Sequence, residues 1–400
     1  MTRVKDKEHF DLIIVGAGAA GLSLLLALAH KRYKGRILIV EQRESFQNDR
    51  IWSFWKTSHI PDYISDKLNY KWNTWSIEAD KICNEQRHPE YPYCSLPAET
   101  LQQLALNVIH KHPDYLLVFG QTVGEITCEN NQWSIPLNHA CVLANNVVDT
   151  RIDKILKNSA NQGNRLCMHQ CFYGFEVEVS RSDDISERTV LPLQNKVYLM
   201  HDIQIVKEGL EFVYILPFSS KKALVEFTGF YKYPVSAQYL KDKASKYVRT
   251  FLGDISLNIV RTEFACLPMQ NVKNSRMETH YIFGGIAGGA MRAASGYSFA
   301  SIQKWANELS KQMIKYDAIK PYDPISPWYR WMDNIFLSAI LNDTALSKTI
   351  FLSLSKKVKA GTFARFMSSE ANLRDLLAII LAMPLWPFIK AMFRVIVHSK

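Results

Sequence analysis

The chain has 400 residues, 48% of them hydrophobic, enough to bury a large core in two domains or in one with insertions. Lys and Arg number 48 against 38 Asp and Glu; this formal charge of +10 excludes an acidic, solvating chain and points to nucleic acid or an anionic membrane surface. Seven scattered cysteines include no Cys-x-x-Cys pair, which argues against a metal ribbon and predicts reduced thiols.

The first ten residues, MTRVKDKEHF, are polar and lead into a strand, so no secretory signal is expected. Residues 12–15 form an unbroken apolar run of the kind a buried parallel strand requires. Gly16, Gly18 and Gly21 follow at Gly-x-Gly-x-x-Gly spacing. The first glycine permits a sharp turn, the second lets backbone approach a pyrophosphate, and the third lets helix and strand pack closely. A helix over 22–30 would aim its free N–H groups at that phosphate. Residues 36–40 rebuild a strand, and Glu41 stands twenty residues beyond Gly21, where a carboxylate accepts hydrogen bonds from ribose hydroxyls.

Next comes QRESFQNDRIWSFW, dense in charge and aromatics. In a doubly wound sheet this loop lies beside the adenosine and pyrophosphate, with Arg50 as its cofactor-binding candidate; the alternative is a surface loop with a solvated charged face and buried tryptophans. Residues 63–93 read as aromatic-rich and irregular, 97–112 as a helix, and 115–119 and 142–149 as strands. The last strand ends VVDTR, placing Asp149 at another edge of the dinucleotide site.

From residue 167 the texture changes. Alternating, turn-separated runs over 172–179 and 196–228 predict an antiparallel sheet, closing near 261–269. Residues 281–289, YIFGGIAGG, form a second strand-to-turn signal. Its Gly284, Gly285, Gly288 and Gly289 let backbone approach phosphate or a ring system. Beyond 321 the chain reads as helical. Residues 376–397 are the most apolar stretch, but Pro384, Pro387, Lys390 and Arg394 make them a poor membrane span. Over 355–400 eight Lys or Arg stand against Glu370 and Asp375, so a surface-lying amphipathic anchor is favoured over a packed pair of core helices. The expected fold class is α/β. It comprises a Rossmann-like dinucleotide-binding domain over 1–165 and 270–318, an inserted antiparallel substrate sheet over 166–269, and a helical, membrane-associating region over 319–400.

Five segments, in order, make the chain similar to the lycopene cyclase family of bacteria and plants. They are the glycine turn with Glu41, NDRIWSFW, VVDTR, the run from LMHDIQ to VEFT ending at Thr228, and GGIAGGAMRAASGYSF. Two departures from the family pattern are Phe227, where a second acidic residue is usual, and Arg292-Ala293-Ala294. The resemblance implies a flavoprotein that closes β-rings on lycopene without net redox change, using reduced FAD with NAD(P)H as reductant and no metal. Glu226 matches the family's catalytic carboxylate, and an apolar setting would keep it protonated. Phe212, Tyr214, Phe227, Tyr297 and Phe299 are candidates for steadying a carbocation. Asp202 and Glu211 are rival proton donors by proximity in sequence. The expected partners are lycopene, a membrane surface and other carotenoid enzymes, with no nucleic acid. The expected location is cytoplasmic, peripheral on the inner face of the cell membrane. The competing reading is a flavin monooxygenase or isoprenoid reductase of the same broad fold.

Overall fold

The computed structural model describes residues 4–152, 166–180, 190–253, 255–272 and 280–398. The domain boundary expected at residue 165 and the end of the tail at residue 400 lie outside the described residues.

The first strand, His9–Val15, is central because its second half is apolar on both faces and must be covered on both. It pairs in parallel with Ile37–Val40 on one side and with Cys141–Asp149 on the other, and Tyr115–Val118 extends the sheet beyond Ile37–Val40. The outer edge of Cys141–Asp149 is shared. Gln132–Pro136 takes its first half antiparallel, and Tyr281–Phe283 takes its second half in parallel. Helices Ala19–His30 and Phe299–Tyr316 pack together beside this sheet, with Gln303 Nε2 donating to Ser23 Oγ at 2.7 Å.

A second sheet runs in the order Leu257–Met269, Met168–Val179, Lys222–Tyr231, Gly209–Pro217, Val197–Val206, Thr74–Ala79, Ile82–Arg87. All neighbours are antiparallel except Val197–Val206 with Thr74–Ala79. The last two strands fall where the sequence reads as irregular. Thr74–Ala79 is covered on both faces and so does not alternate, while Ile82–Arg87 is a polar edge strand. Helix Ala237–Leu252 covers one face, its start capped by Ser236 accepting from the Tyr239 amide. Ile51–Trp55, Tyr93–Pro97 and Tyr70–Trp72 form a third, small sheet.

Register also corrects the expectation of reduced thiols throughout. Cys171 and Cys266 stand directly opposite one another on adjacent strands and are joined as a disulfide. They lie 95 residues apart, so no local spacing announces the pair.

The C-terminal region is helical: Pro327–Asn342, Leu346–Lys357, Ala360–Met367, Leu373–Ala382 and Leu385–His398. The last two are bent by 111° at the break before Leu385, where Pro384 has no N–H to continue a helix. Among the described residues no single helix is long and apolar enough to cross a membrane. Leu376, Ile379, Ala391 and Val395 pack inward, whereas Leu373, Leu377, Leu381, Trp386, Phe393 and Val397 are exposed.

Candidate active site

Two glycine turns meet at the carboxyl ends of the parallel strands. Gly16 turns the chain with φ +103°, and a Cβ there would collide with the Thr150 hydroxyl. Gly21 packs against the Gly16 carbonyl, which lets the helix sit close to the strand. Around Gly18 the space is open, with nothing within 4 Å of where a Cβ would stand. The helix that follows has no side-chain cap and no acidic residue in its first turn, so its leading amides are left for a ligand.

In the second turn Gly285 and Gly289 take φ +62° and +85°. A Cβ on Gly285 would come within 2.5 Å of Ala20 Cβ, so the two turns touch. Gly284 donates its N–H to the Asp149 carbonyl, a Cβ on it would strike Trp305, and one on Gly288 would strike the Phe283 carbonyl. All seven glycines therefore shape one cradle.

Glu41, 7% exposed, accepts from the Ala17 amide through Oε2 at 2.9 Å, and from the Arg43 amide and Nε through Oε1 at 3.0 Å. Burial pushes this carboxyl up, but the Arg43 side chain and the two amides outweigh it and hold it below its ordinary range. A fixed carboxylate thus closes the end of the strand, where a ribose is expected. Arg50 is turned onto Asp49 at 2.7 Å and is half exposed; Asp49 in turn meets Arg43 at 3.4 Å. Arg50 accordingly belongs to the rim at the Glu41 end. Asp149 is fully buried, and its carboxylate is engaged by Arg151 at 2.6 Å and by the Tyr281 hydroxyl at 3.2 Å. It braces the turns through its backbone and its ion pair.

Glu226 lies elsewhere, on Lys222–Tyr231. Period-two alternation sends Leu224, Glu226, Thr228 and Phe230 to one face, lining a cavity of ≈ 250 Å³, while Ala223, Val225 and Phe227 enter the opposite core. Phe212, Tyr214, Tyr297 and Phe299 line the same cavity. Phe227 does not. An odd offset from Glu226 puts its ring on the far face, next to Lys243. The same parity separates the rival acids. Glu211 is held by Tyr231, Tyr239 and Lys243 on the far face, and Asp202 is exposed and bonded to Gln204.

Glu226 is half-buried, and it lines the cavity. Burial, followed by the charge and hydrogen bond of Glu263, raises its carboxyl well above the ordinary range, with Arg261 opposing. The protonated form is therefore favoured there. Around it the hydroxyls of Tyr214, Tyr93 and Tyr297 form a chain with 3.0 Å links.

Several cavity residues escaped sequence reasoning. Trp52, Ser53 and Trp55 belong to a charge-dense stretch expected beside the adenosine; they sit instead on a strand that lines the Glu226 cavity. Tyr93, Phe351 and Phe363 arrive from distant segments. Glu263 carried no signal, since only strand register brings it near Glu226.

A second cavity of ≈ 230 Å³ shares Ala294, Ser295, Phe351, Leu354 and Met367 with the first. It runs to Leu385, Phe388, Ile389 and Met392 of the last helix. On its wall Arg292, 2% exposed, is bidentate to Asp333 at 2.7 and 2.9 Å and donates to the Phe366 carbonyl at 2.9 Å.

The family described as Lycopene cyclase protein matches residues 11–393, nearly the whole chain. The chain belongs to the lycopene cyclase family. Its fold is that of Rossmann-type flavoproteins. The chain is similar to a geranylgeranyl bacteriochlorophyll reductase-like protein from Thermoplasma acidophilum, with TM-score 0.60 and 12% identity over 96% of this chain and 98% of that one. It is also similar to a flavoprotein/dehydrogenase from Cytophaga hutchinsonii, with TM-score 0.61 and 10% identity over 98% and 100%. A third is p-nitrophenol 4-monooxygenase from Pseudomonas putida, with TM-score 0.56 and 12% identity over 98% of each chain. No curated protein sequence matches significantly. At these identities the solved structures speak for the fold alone, whereas the family match supports carotenoid cyclisation.

Proposed function

We propose that the protein is a lycopene β-cyclase, an isomerase that closes the acyclic ends of lycopene to β-rings without net redox change. The observation that carries this reading is the place of one carboxyl, Glu226, in the wall of an aromatic, apolar cavity, where burial and Glu263 favour its protonated form. Glu226 gives its proton to the terminal alkene, leaving a tertiary cation. The internal alkene's electron pair forms the ring bond, and the cation moves into the new ring. A carboxylate then removes a neighbouring ring proton, so atoms and charge balance. Tyr214, Tyr297, Phe212 and Trp55 offer π faces to the passing cation. The mostly apolar lining disfavours water, which would otherwise trap the cation as an alcohol.

The residues also fit FAD. The open space at Gly18, the uncapped amides and Glu41 suit its pyrophosphate and ribose. At the cavity end Gln170 Oε1, Thr228 Oγ1 and Ser295 Oγ are buried without partners, more polar atoms than a hydrocarbon uses and the kind a flavin edge satisfies. When bound and reduced, with NAD(P)H as reductant, FAD would supply negative charge that favours a developing cation.

Lycopene dissolves only in membrane, and the tail offers a route to it. The exposed apolar side chains of the bent helix pair, with Lys390 stacked on Trp386, make a surface that docks on anionic lipid. Beneath it lies the second cavity, which shares wall residues with the first. A peripheral position on the inner face of the cell membrane, beside other carotenoid enzymes, follows from this reading.

An anaerobic assay with full-length protein, chemically reduced FAD and lycopene in vesicles tests it. Ring-bearing product of unchanged mass is expected. A mass change by two hydrogens or by one oxygen would mean a reductase or a monooxygenase.

A further inference from the structure

The middle of the second sheet brings together two carboxyl groups that the sequence keeps 37 residues apart (226 and 263). Gly174 is registered opposite Glu226 on one side and opposite Glu263 on the other. Two carboxylates flanking an ordinary residue would be separated by its side chain. Here there is none. A Cβ on Gly174 would lie 2.8 Å from Glu226 Cγ and 3.1 Å from Glu263 Cγ, so both side chains lie over the glycine with nothing between them.

Glu263 is held from behind. Its Oε2 accepts from Arg261 Nη1 and from the Ile51 amide, each at 3.1 Å. Arg261 is fixed in turn by Glu176 at 3.0 Å, which also meets Lys222. The other oxygen, Oε1, is buried and has no N–H or hydroxyl donor. A buried carboxylate oxygen left in that state is costly, so the adjacent carboxyl proton completes it. We propose that Glu226 and Glu263 act as a pair sharing one proton across Gly174, with Glu263 as the positioning residue that holds the Glu226 carboxyl protonated and aimed into the cavity.

This rests on Glu226 being the proton donor. In the reaction the pair starts with one proton between two carboxyls. Glu226 transfers it to the alkene carbon, leaving two adjacent carboxylates. Their mutual repulsion makes them a strong base in a buried site, and the ring proton released on closure restores the shared state. One proton leaves and one returns. The groups facing the pair are Arg261 and Glu176, with Lys222 beyond, and the hydroxyls of Tyr93, Tyr214 and Tyr297. Burial drives all three phenols well above their ordinary range, so they do not compete for the alkaline limb of the rate.

The experiment compares wild type, Glu226→Gln, Glu263→Gln and Glu263→Asp, each full-length and loaded with reduced FAD. It records the infrared band of protonated carboxyl and the pH profile of cyclisation. Wild type should show the band at neutral pH, and Glu226→Gln should lose it. In Glu263→Gln the anionic acceptor is gone while Arg261 remains. Its band should shift, and the alkaline limb should move down by on the order of one pH unit. Glu263→Asp should restore part of that limb. If Glu263→Gln leaves both band and limb where they were, while Glu226→Gln is inactive, the pair is refuted and the donor assignment stands. If Glu226→Gln keeps both the band and the rate, the donor assignment itself fails. Should Glu263→Gln not fold, Gly174→Ala keeps both carboxyls and wedges them apart. An unshifted band in that variant overturns the pairing.

Discussion

Gly174→Ala is the smallest change that addresses the chemistry without touching an acid. The new Cβ would stand 2.8 Å from Glu226 Cγ, whereas ordinary contact begins at 3.4 Å, so something must yield by about 0.6 Å. The strand cannot, because Met168–Val179 is bonded on both sides over nearly its whole length. Glu226 and Glu263 must therefore swing away from each other. A misplacement of 1 Å at a reacting group costs about a hundredfold, so 0.6 Å costs on the order of tenfold in rate. The stability cost is modest. Overpacking of about 1–3 kcal/mol is partly offset by the roughly 0.5–1 kcal/mol gained when alanine replaces glycine in a strand. Initial rates with saturating lycopene and reduced FAD, taken beside thermal melts and flavin content, separate the two effects. A variant that melts near wild type, retains flavin and cyclises at the wild-type rate would refute the account of why residue 174 is glycine.

Glu226→Gln should keep flavin and lose roughly 10²–10⁴ in rate, whereas Glu211→Gln and Asp202→Asn, outside the cavity, should leave the rate near wild type. Gly18→Val should fill the space left for a pyrophosphate, and retained flavin absorbance after purification would count against that site. Removing residues 376–400 would uncover Ile335 and Ala339, so paired Leu381→Glu and Trp386→Glu substitutions are the cleaner test of docking. Co-sedimentation with anionic vesicles should fall sharply while the melt is unchanged. Hydrogen bonding from Arg365, opposed by burial, holds the Asp375 carboxyl at about 2, below its ordinary 3.8. Its stabilisation of the tail is then complete above pH 4 and lost as pH falls toward 2; Asp375→Asn should remove that part of the acid sensitivity, followed by tryptophan fluorescence.

The strand–turn–helix–strand unit at the start of the chain was legible because its instructions are local. Gly16, Gly18, Gly21 and Glu41 sit within this unit, and their spacing can be read without knowing any distant contact. Glu226 was reachable only through family resemblance, since a glutamate in an alternating strand is equally at home on a solvent face. Alternation could have removed Phe227 from the aromatic set, because it differs in parity from Glu226. Glu263, Cys266 and Tyr93 were beyond reach. What makes each of them matter is strand register or tertiary contact with segments far away in sequence, and no window of the sequence contains it. The strands at 74–87 were missed for a related reason, their pattern being set by what covers them and not by a simple in–out rhythm.

Protonating an alkene calls for a strong acid in a dry place, and a buried carboxyl held neutral is a weak acid by construction. The difficulty lessens once the conjugate state is considered. A tertiary cation formed beside two carboxylates and π faces is met by opposite charge in a medium that hardly screens it, so the ion pair is stabilised far more than it would be in water. The same pairing that raises the donor's proton affinity at rest thus returns that free energy when the cation appears. This works only if the carboxyls, the flavin end and the hydrocarbon arrive in one closed space. Residues 292–297 are where those requirements meet. Ser295 and Tyr297 line the cavity beside Glu226, Gly289 begins the approach from the cofactor turn, and Arg292 is locked to Asp333 of Pro327–Asn342. Removing one partner of such a buried ion pair costs about 3–5 kcal/mol, so helix Pro327–Asn342 cannot shift freely against the segment that follows the second glycine turn.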